Sequence, residues 1–201
     1  MTIGEFVLAR SYLPKNGTHT MDEHVMAMLM TMSGTCSKLV VDDLPELVKV
    51  NNSKEKIEIK DIVFDYNGTI AIDGKLINDV SKNINELSSS FNFYVITADT
   101  YGTVKKELEN TNCKVITIPA LSQDMAKLNF VKELGLNTCL SVGNGRNDKL
   151  MLKETILGIA ILQDEGLCTE TLLNSDILVK SIFDVFAFLK NSNRLIATLR
   201  N

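Results

Sequence analysis

From about residue 56 onward the chain alternates short β-branched runs with helix-period stretches, and this alternation restricts its fold more than any other property. The runs are KIEI (56–59), DIVFD (61–65), FYVIT (93–97), KVITI (114–118), CLSVG (139–143), GIAIL (158–162) and DILV (176–179). Between them, periodic segments near 78–90, 101–110, 122–135, 147–155, 167–174 and 181–190 are each long enough for a crossover helix. Strands joined through helices run parallel, so the sequence predicts an α/β domain: a three-layer, doubly wound parallel sheet with helices on both faces. Ligands in such folds sit beyond the carboxyl ends of the strands. Those ends read Asp65, Thr97, Pro119 and Gly143-Asn144.

Residues 1–45 read differently and are expected to form an extension to a domain spanning 46–201. In THTMDEHVMAMLMTMSG, Thr20 and Glu23 stand at capping-box spacing and Gly34 is a stop, which predicts a Met-rich helix from about Met21 to Ser33. Val25, Met28, Leu29 and Met32 share one face of it. Such a face packs on the domain's own sheet, on a second subunit or on a partner protein, methionine being a common filler of irregular gaps. The following LVKVNNSKEKIEI (47–59) reads as two short strands around a polar turn, a hairpin leading into the core.

At 201 residues and 45% hydrophobic content the chain can bury a core of ordinary size. Its net charge of −4, with no basic block, disfavours nucleic acid and anionic membranes as partners. The four cysteines, Cys36, Cys113, Cys139 and Cys168, form no CxxC pair, which argues against a zinc site and a disulfide framework. No uncharged apolar run approaches the ~18 residues that span a bilayer, and the N-terminus lacks a signal-peptide pattern. The expectation is a soluble, reduced, cytoplasmic protein.

Four positions carry chemistry together. Asp65 ends an apolar strand beside the Gly68-Thr69 turn, where a carboxylate is placed to attack phosphorus and form an aspartyl phosphate. Such a reaction needs its charge neutralised. Mg²⁺ held by hard oxygens supplies this, with Asp65, Asp148 and the carbonyl of Asn67 as candidate ligands. Thr97 ends its strand where its hydroxyl and the following N–H groups, Ala98 first, would hold a phosphate with Gly68 and Thr69. Lys127 precedes an apolar pattern, Leu128, Val131 and Leu134, and is expected at a helix start, completing the charge cradle.

These residues make the chain resemble the haloacid dehalogenase superfamily phosphatases, specifically the soluble proteins related to the phosphorylation domain of P-type ATPases. The motifs appear in order: DYNGT at Asp65, VITADT at Thr97, KLNFVKEL at Lys127 and GNGRND at 143–148. The resemblance covers roughly residues 46–201 and implies a Rossmann-like fold and a Mg²⁺-dependent phosphatase or phosphotransferase. Two positions depart from the pattern. The family's phosphatases place an acid two residues after the nucleophile, where this chain has Asn67, which cannot transfer a proton. General acid–base help is typically worth about 10²–10⁴-fold, so the expectation is slow turnover or selectivity for good leaving groups. Asp73 and Asp99 are the nearest substitutes, unless each caps a turn or helix. Asn144 replaces the family's metal-binding aspartate and would offer an amide oxygen with no charge. Asn147 is expected to hold its loop, and Arg146 either to be solvated or to touch substrate phosphate.

Asp65 and Thr97 are 32 positions apart, and Thr97 and Lys127 are 30 apart, leaving no room for a cap domain. Capless members of the family act on large substrates or cover their sites by oligomerising. An alternative reading is a catalytically weak phosphate- and metal-binding regulatory module that acts through a protein partner, docked by the N-terminal helix.

Overall fold

The computed structural model describes residues 48–52, 55–99 and 103–199. The expected extension 1–45, its Met-rich helix and the boundary at 46 lie outside the described residues. The chain enters through an antiparallel hairpin, β1 (Val48–Asn52) and β2 (Glu55–Ile59), with Val48 paired to Ile59. KIEI therefore belongs to this hairpin rather than to the parallel sheet.

Six strands build that sheet: β3 (Asp61–Asp65), β6 (Asn92–Thr97), β7 (Lys114–Thr117), β8 (Cys139–Gly143), β9 (Leu157–Ile161) and β10 (Ile177–Val179). They are parallel in the order β10-β9-β8-β3-β6-β7. From the central β3 the chain winds outward through β6 to β7, then returns to β8 on the other side of β3 and winds the opposite way. The switch point, where a crevice opens at the carboxyl ends, therefore lies between β3 and β8.

Alternation along β3 sorts the core. Ile62 and Phe64 face a cluster with α1 (Val80–Leu87), α2 (Thr103–Glu107), α6 (Ile182–Lys190) and α7 (Ser192–Leu199), through Val80, Ile84, Val104, Val185, Phe186 and Leu195. Val63 faces the other cluster, where α3 (Gln123–Leu134) contributes Leu128 and Val131, α4 (Lys149–Glu154) contributes Met151 and Leu152, and the short α5 (Thr169–Leu172) packs Leu172 against it. The three-layer doubly wound fold expected from the alternation is thus present. Phe64 stacks on Phe93 at 5.9 Å and meets Phe186 edge-on at 6.0 Å. Truncating such a buried ring to alanine costs about 3–5 kcal/mol, which anchors the strand carrying Asp65.

Two elements were not expected. The stretch after Asp65, read as a turn, contains a small hairpin, β4 (Ala71–Ile72) and β5 (Lys75–Leu76). At its tip Asp73 and Gly74 take φ of 50° and 73°, the geometry that favours Asp-Gly in tight hairpins. After α6, α7 buries Leu195 and Ile196 against the core. No helix among the described residues is long and apolar enough to cross a membrane.

Candidate active site

Asp65 ends β3 paired with Ile96 of β6, and 14% of its side chain is exposed, at the mouth of the crevice. Immediately after it the chain turns sharply. The carbonyl of Tyr66 accepts from the N–H groups of Thr69, Ile70 and Ala71, and Gly68 donates to Ala71 at 2.8 Å. Gly68 takes φ +73°, and a Cβ there would lie 2.2 Å from Nδ2 of Asn144. Only glycine meets both conditions. The Tyr66 hydroxyl donates to the Gly74 carbonyl at 3.2 Å, and burial pushes its ionisation up to about 12. The hairpin tip is anchored by the Asp73 N–H donating to Oε1 of Glu165 at 2.8 Å.

Lys127 connects three elements. It lies in the second turn of α3, deeper than the helix start the sequence suggested, and is 1% exposed. Its ammonium donates to Oδ1 of Asp65 at 2.5 Å and to Oδ1 of Asp148 at 2.6 Å. Both oxygens of the buried Asp148 are engaged, since Oδ2 accepts the Gly145 N–H at 2.8 Å. Asp148 can sit so deep because residue 143 is glycine: a Cβ there would lie 2.4 Å from its carboxyl carbon. Two carboxylates thus face one ammonium. Burial pushes the Asp148 carboxyl up and the Asp65 charge adds to this, against the pull of Lys127 and the Gly145 N–H. The same two carboxylates hold Lys127 charged despite its burial.

The remaining motif residues arrange around this trio. Asn147 donates to Oε1 of Gln123 at 2.6 Å, tying its turn to the start of α3 and so holding the loop as expected. Arg146 is solvent-exposed and pairs with Glu170 at 3.4 Å. Thr97 is buried one residue beyond the Asp65–Ile96 pair, and its hydroxyl has no hydrogen-bond partner among the described residues. Ala98 packs against the second core cluster. The Asp99 carboxylate accepts the Val104 N–H at 2.8 Å and the Thr103 hydroxyl at 3.3 Å, so it caps α2, one of the two roles considered for it.

No family model matches the chain. It is 44% identical over 84 residues to the uncharacterised protein MJ0073 of Methanocaldococcus jannaschii, an alignment covering 40% of this chain and 90% of that protein. The chain belongs to the family of that archaeal protein. Its fold is that of the haloacid dehalogenase superfamily. The 3-deoxy-D-manno-octulosonate 8-phosphate phosphatase of Moraxella catarrhalis, solved with magnesium, phosphate and KDO, superimposes with a TM-score of 0.56 at 20% identity, covering 71% of this chain and 94% of that one. The cobalt-bound phosphatase of the same kind from Haemophilus influenzae gives 0.57 at 12% identity, with coverage of 71% and 94%. A protein of Legionella pneumophila described as a HAD superfamily (subfamily III A) hydrolase gives 0.55 at 14%, with coverage of 70% and 87%.

On this haloacid dehalogenase fold, the donors near Asp65 fit a hard divalent cation. The trio carries one more carboxylate than ammonium, Asp65 is partly exposed, and Asn67 two residues on is exposed. Among the described residues there is no cluster of three His, Cys, Asp or Glu side chains suited to a metal, so carbonyl oxygen and water would complete the shell. The two other expected ligands are otherwise engaged here: Asp148 by Lys127 and Gly145, and Asn144 by Thr69 and Gly166.

One residue at the site escaped the sequence reading. Gln163, just past β9, donates to the Gly68 and Thr69 carbonyls at 3.3 and 2.9 Å and accepts the Ile182 N–H at 2.9 Å. Its sequence context carries no motif.

Proposed function

We propose that this protein is a phosphatase or phosphotransferase that works through an aspartyl phosphate on Asp65. The observation that supports this most is the buried Lys127, which bridges Asp65 and Asp148 at the switch point of the sheet. In the first step an Asp65 oxygen attacks phosphorus in line; the new P–O bond forms as the bond to the leaving group breaks, and the leaving group departs with the electron pair. In the second, water attacks the acyl phosphate and releases inorganic phosphate with Asp65 restored. Lys127 keeps Asp65 oriented and offsets negative charge as the phosphoryl group arrives. Thr97, whose hydroxyl has no hydrogen-bond partner among the described residues, and the N–H of Ala98 are the proposed phosphate contacts. Mg²⁺, held by Asp65 and the Asn67 carbonyl, would neutralise the phosphoryl oxygens. The Moraxella phosphatase of the same fold was solved with magnesium and phosphate ions.

Asn67 narrows the substrate class. With no acid at this position the leaving group departs unprotonated, which favours acyl and aryl phosphates over alkyl esters. Between Asp65 and Lys127 the described elements are only a hairpin, two short helices, two strands and the first turn of α3, with no cap domain inserted among them. The test is turnover of acetyl phosphate and aryl phosphates with Mg²⁺, with Asp65→Asn as control. Activity retained in that variant would remove Asp65 from the reaction.

A further inference from the structure

Two amides fasten the loop that follows the nucleophile. Asn144 is 8% exposed and uses both ends of its side chain: Oδ1 accepts from the Thr69 hydroxyl at 3.4 Å, and Nδ2 donates to the Gly166 carbonyl at 3.0 Å. Its backbone carbonyl accepts the Cys168 N–H at 2.9 Å, a second tie to the same loop. Gln163 works from the other side, with its Nε2 shared between the Gly68 and Thr69 carbonyls and its Oε1 capping the first N–H of α6. Gly68 lies directly on the Asn144 amide, too close for a Cβ.

Each of these positions needs a donor and an acceptor in one side chain, and an amide has both. A carboxylate at 144 would set an oxygen against the Gly166 carbonyl and lose the bond, leaving two partly buried acceptors facing each other. A carboxylate at 163 would keep the Ile182 contact and lose both loop carbonyls. The identity of these residues is thus set by the clamp geometry.

We propose that Asn144 and Gln163 are positioning residues that clamp loop 66–71 onto loop 163–168, and that Asn144 acts as a clamp and not as a metal ligand. The loop so held carries Asn67 beside Asp65, and its pose sets where the Asn67 carbonyl points. This deepens the proposed reaction and rests on it only for the kinetic readout below.

The experiment uses the full chain and two variants, Asn144→Asp and Gln163→Glu. Without substrate, the Gly68, Thr69 and Gly166 amide resonances are followed while Mg²⁺ alone is titrated. The clamp predicts that Asn144→Asp shifts all three resonances, lowers the thermal midpoint and leaves Mg²⁺ affinity within about twofold of the parent. Mg²⁺ binding tightened by about tenfold or more, as an added carboxylate ligand should produce, with the midpoint unchanged, would overturn it. For Gln163→Glu, kcat on an aryl phosphate is expected to fall about tenfold with KM nearly unchanged, as for loss of an outer residue that orients a site. A lowered thermal midpoint with unaltered kcat would reduce Gln163 to a structural role and overturn its half. Beryllofluoride binding by the parent separates the two claims: if it fails, the phosphoryl-transfer reading falls while resonances and Mg²⁺ affinity still decide the clamp.

Discussion

The Lys127 ammonium stands between Asp65 and Asp148 with almost no access to water, so its removal is felt in both folding and chemistry. Lys127→Met keeps most of the side chain's volume and leaves two carboxylates facing each other. Breaking a buried pair in this way costs about 3–5 kcal/mol, measurable by urea denaturation at neutral pH. Much of that loss should return in Lys127→Met with Asp148→Asn, because the stranded charge is then gone; a double variant no more stable than the single would mean that repulsion is not the cause. Asn67 is the complementary case, an exposed side chain whose replacement should change rate rather than stability. Asn67→Asp supplies the missing acid and should raise turnover of alkyl phosphates by about 10²–10⁴-fold over the parent, read in a phosphate-release assay. No gain would mean that another group already delivers the proton.

Among the elements, the loop and hairpin after β3 govern access to Asp65. Gly68 and Gly74 both take φ +73°, but a Cβ at Gly74 meets nothing within 4 Å while one at Gly68 runs into Asn144. Gly74→Ala should therefore cost only backbone strain, about 1 kcal/mol, and Gly68→Ala about 2 kcal/mol or more, with the excess reporting the contact to Asn144. Equal losses in denaturation experiments would contradict that packing. The same region marks how far the sequence could be read. The strand ends carrying Asp65, Thr97 and Asn144 were legible because buried parallel strands are continuous β-branched runs with sharp ends. The β4–β5 hairpin was not, since two-residue strands have no period to detect, although Asp73-Gly74 was a usable turn signal. Lys127 and Asp148 were both identified, but assigned to separate tasks; only the fold places the ammonium against that carboxylate. Gln163 was beyond reach because its partners at Gly68 and Thr69 lie 95 and 94 positions away.

At the scale of the whole molecule, burial of Cys113, Cys139 and Tyr66 holds these acids neutral and sets an alkaline limit. Burial raises Cys139 from its ordinary value of 9.0 to about 12, Cys113 to about 11, and Tyr66 from 10.0 to about 12. Well below pH 9 these groups are protonated in both folded and unfolded chains, so stability there is undiminished. As pH rises past the ordinary values, 9.0 for the two cysteines and 10.0 for Tyr66, the unfolded chain releases protons that the folded one retains, and stability falls by about 1.4 kcal/mol per pH unit for each group until its folded value is reached. Urea midpoints followed by circular dichroism from pH 8 to pH 11 should decline along this course, and Cys139→Ala should flatten the slope by one group's share; an unchanged slope would remove Cys139 from the account. The order of strands around β3 gives the fold its crevice, and the reaction proposed there makes one covalent adduct diagnostic. The protein is incubated with acetyl phosphate and Mg²⁺, quenched in acid, digested and examined by mass spectrometry. The account predicts a phosphoryl group on the peptide containing Asp65, labile to hydroxylamine and absent from Asp65→Asn. Turnover of acetyl phosphate with no such adduct, or with the label on another residue, would contradict it.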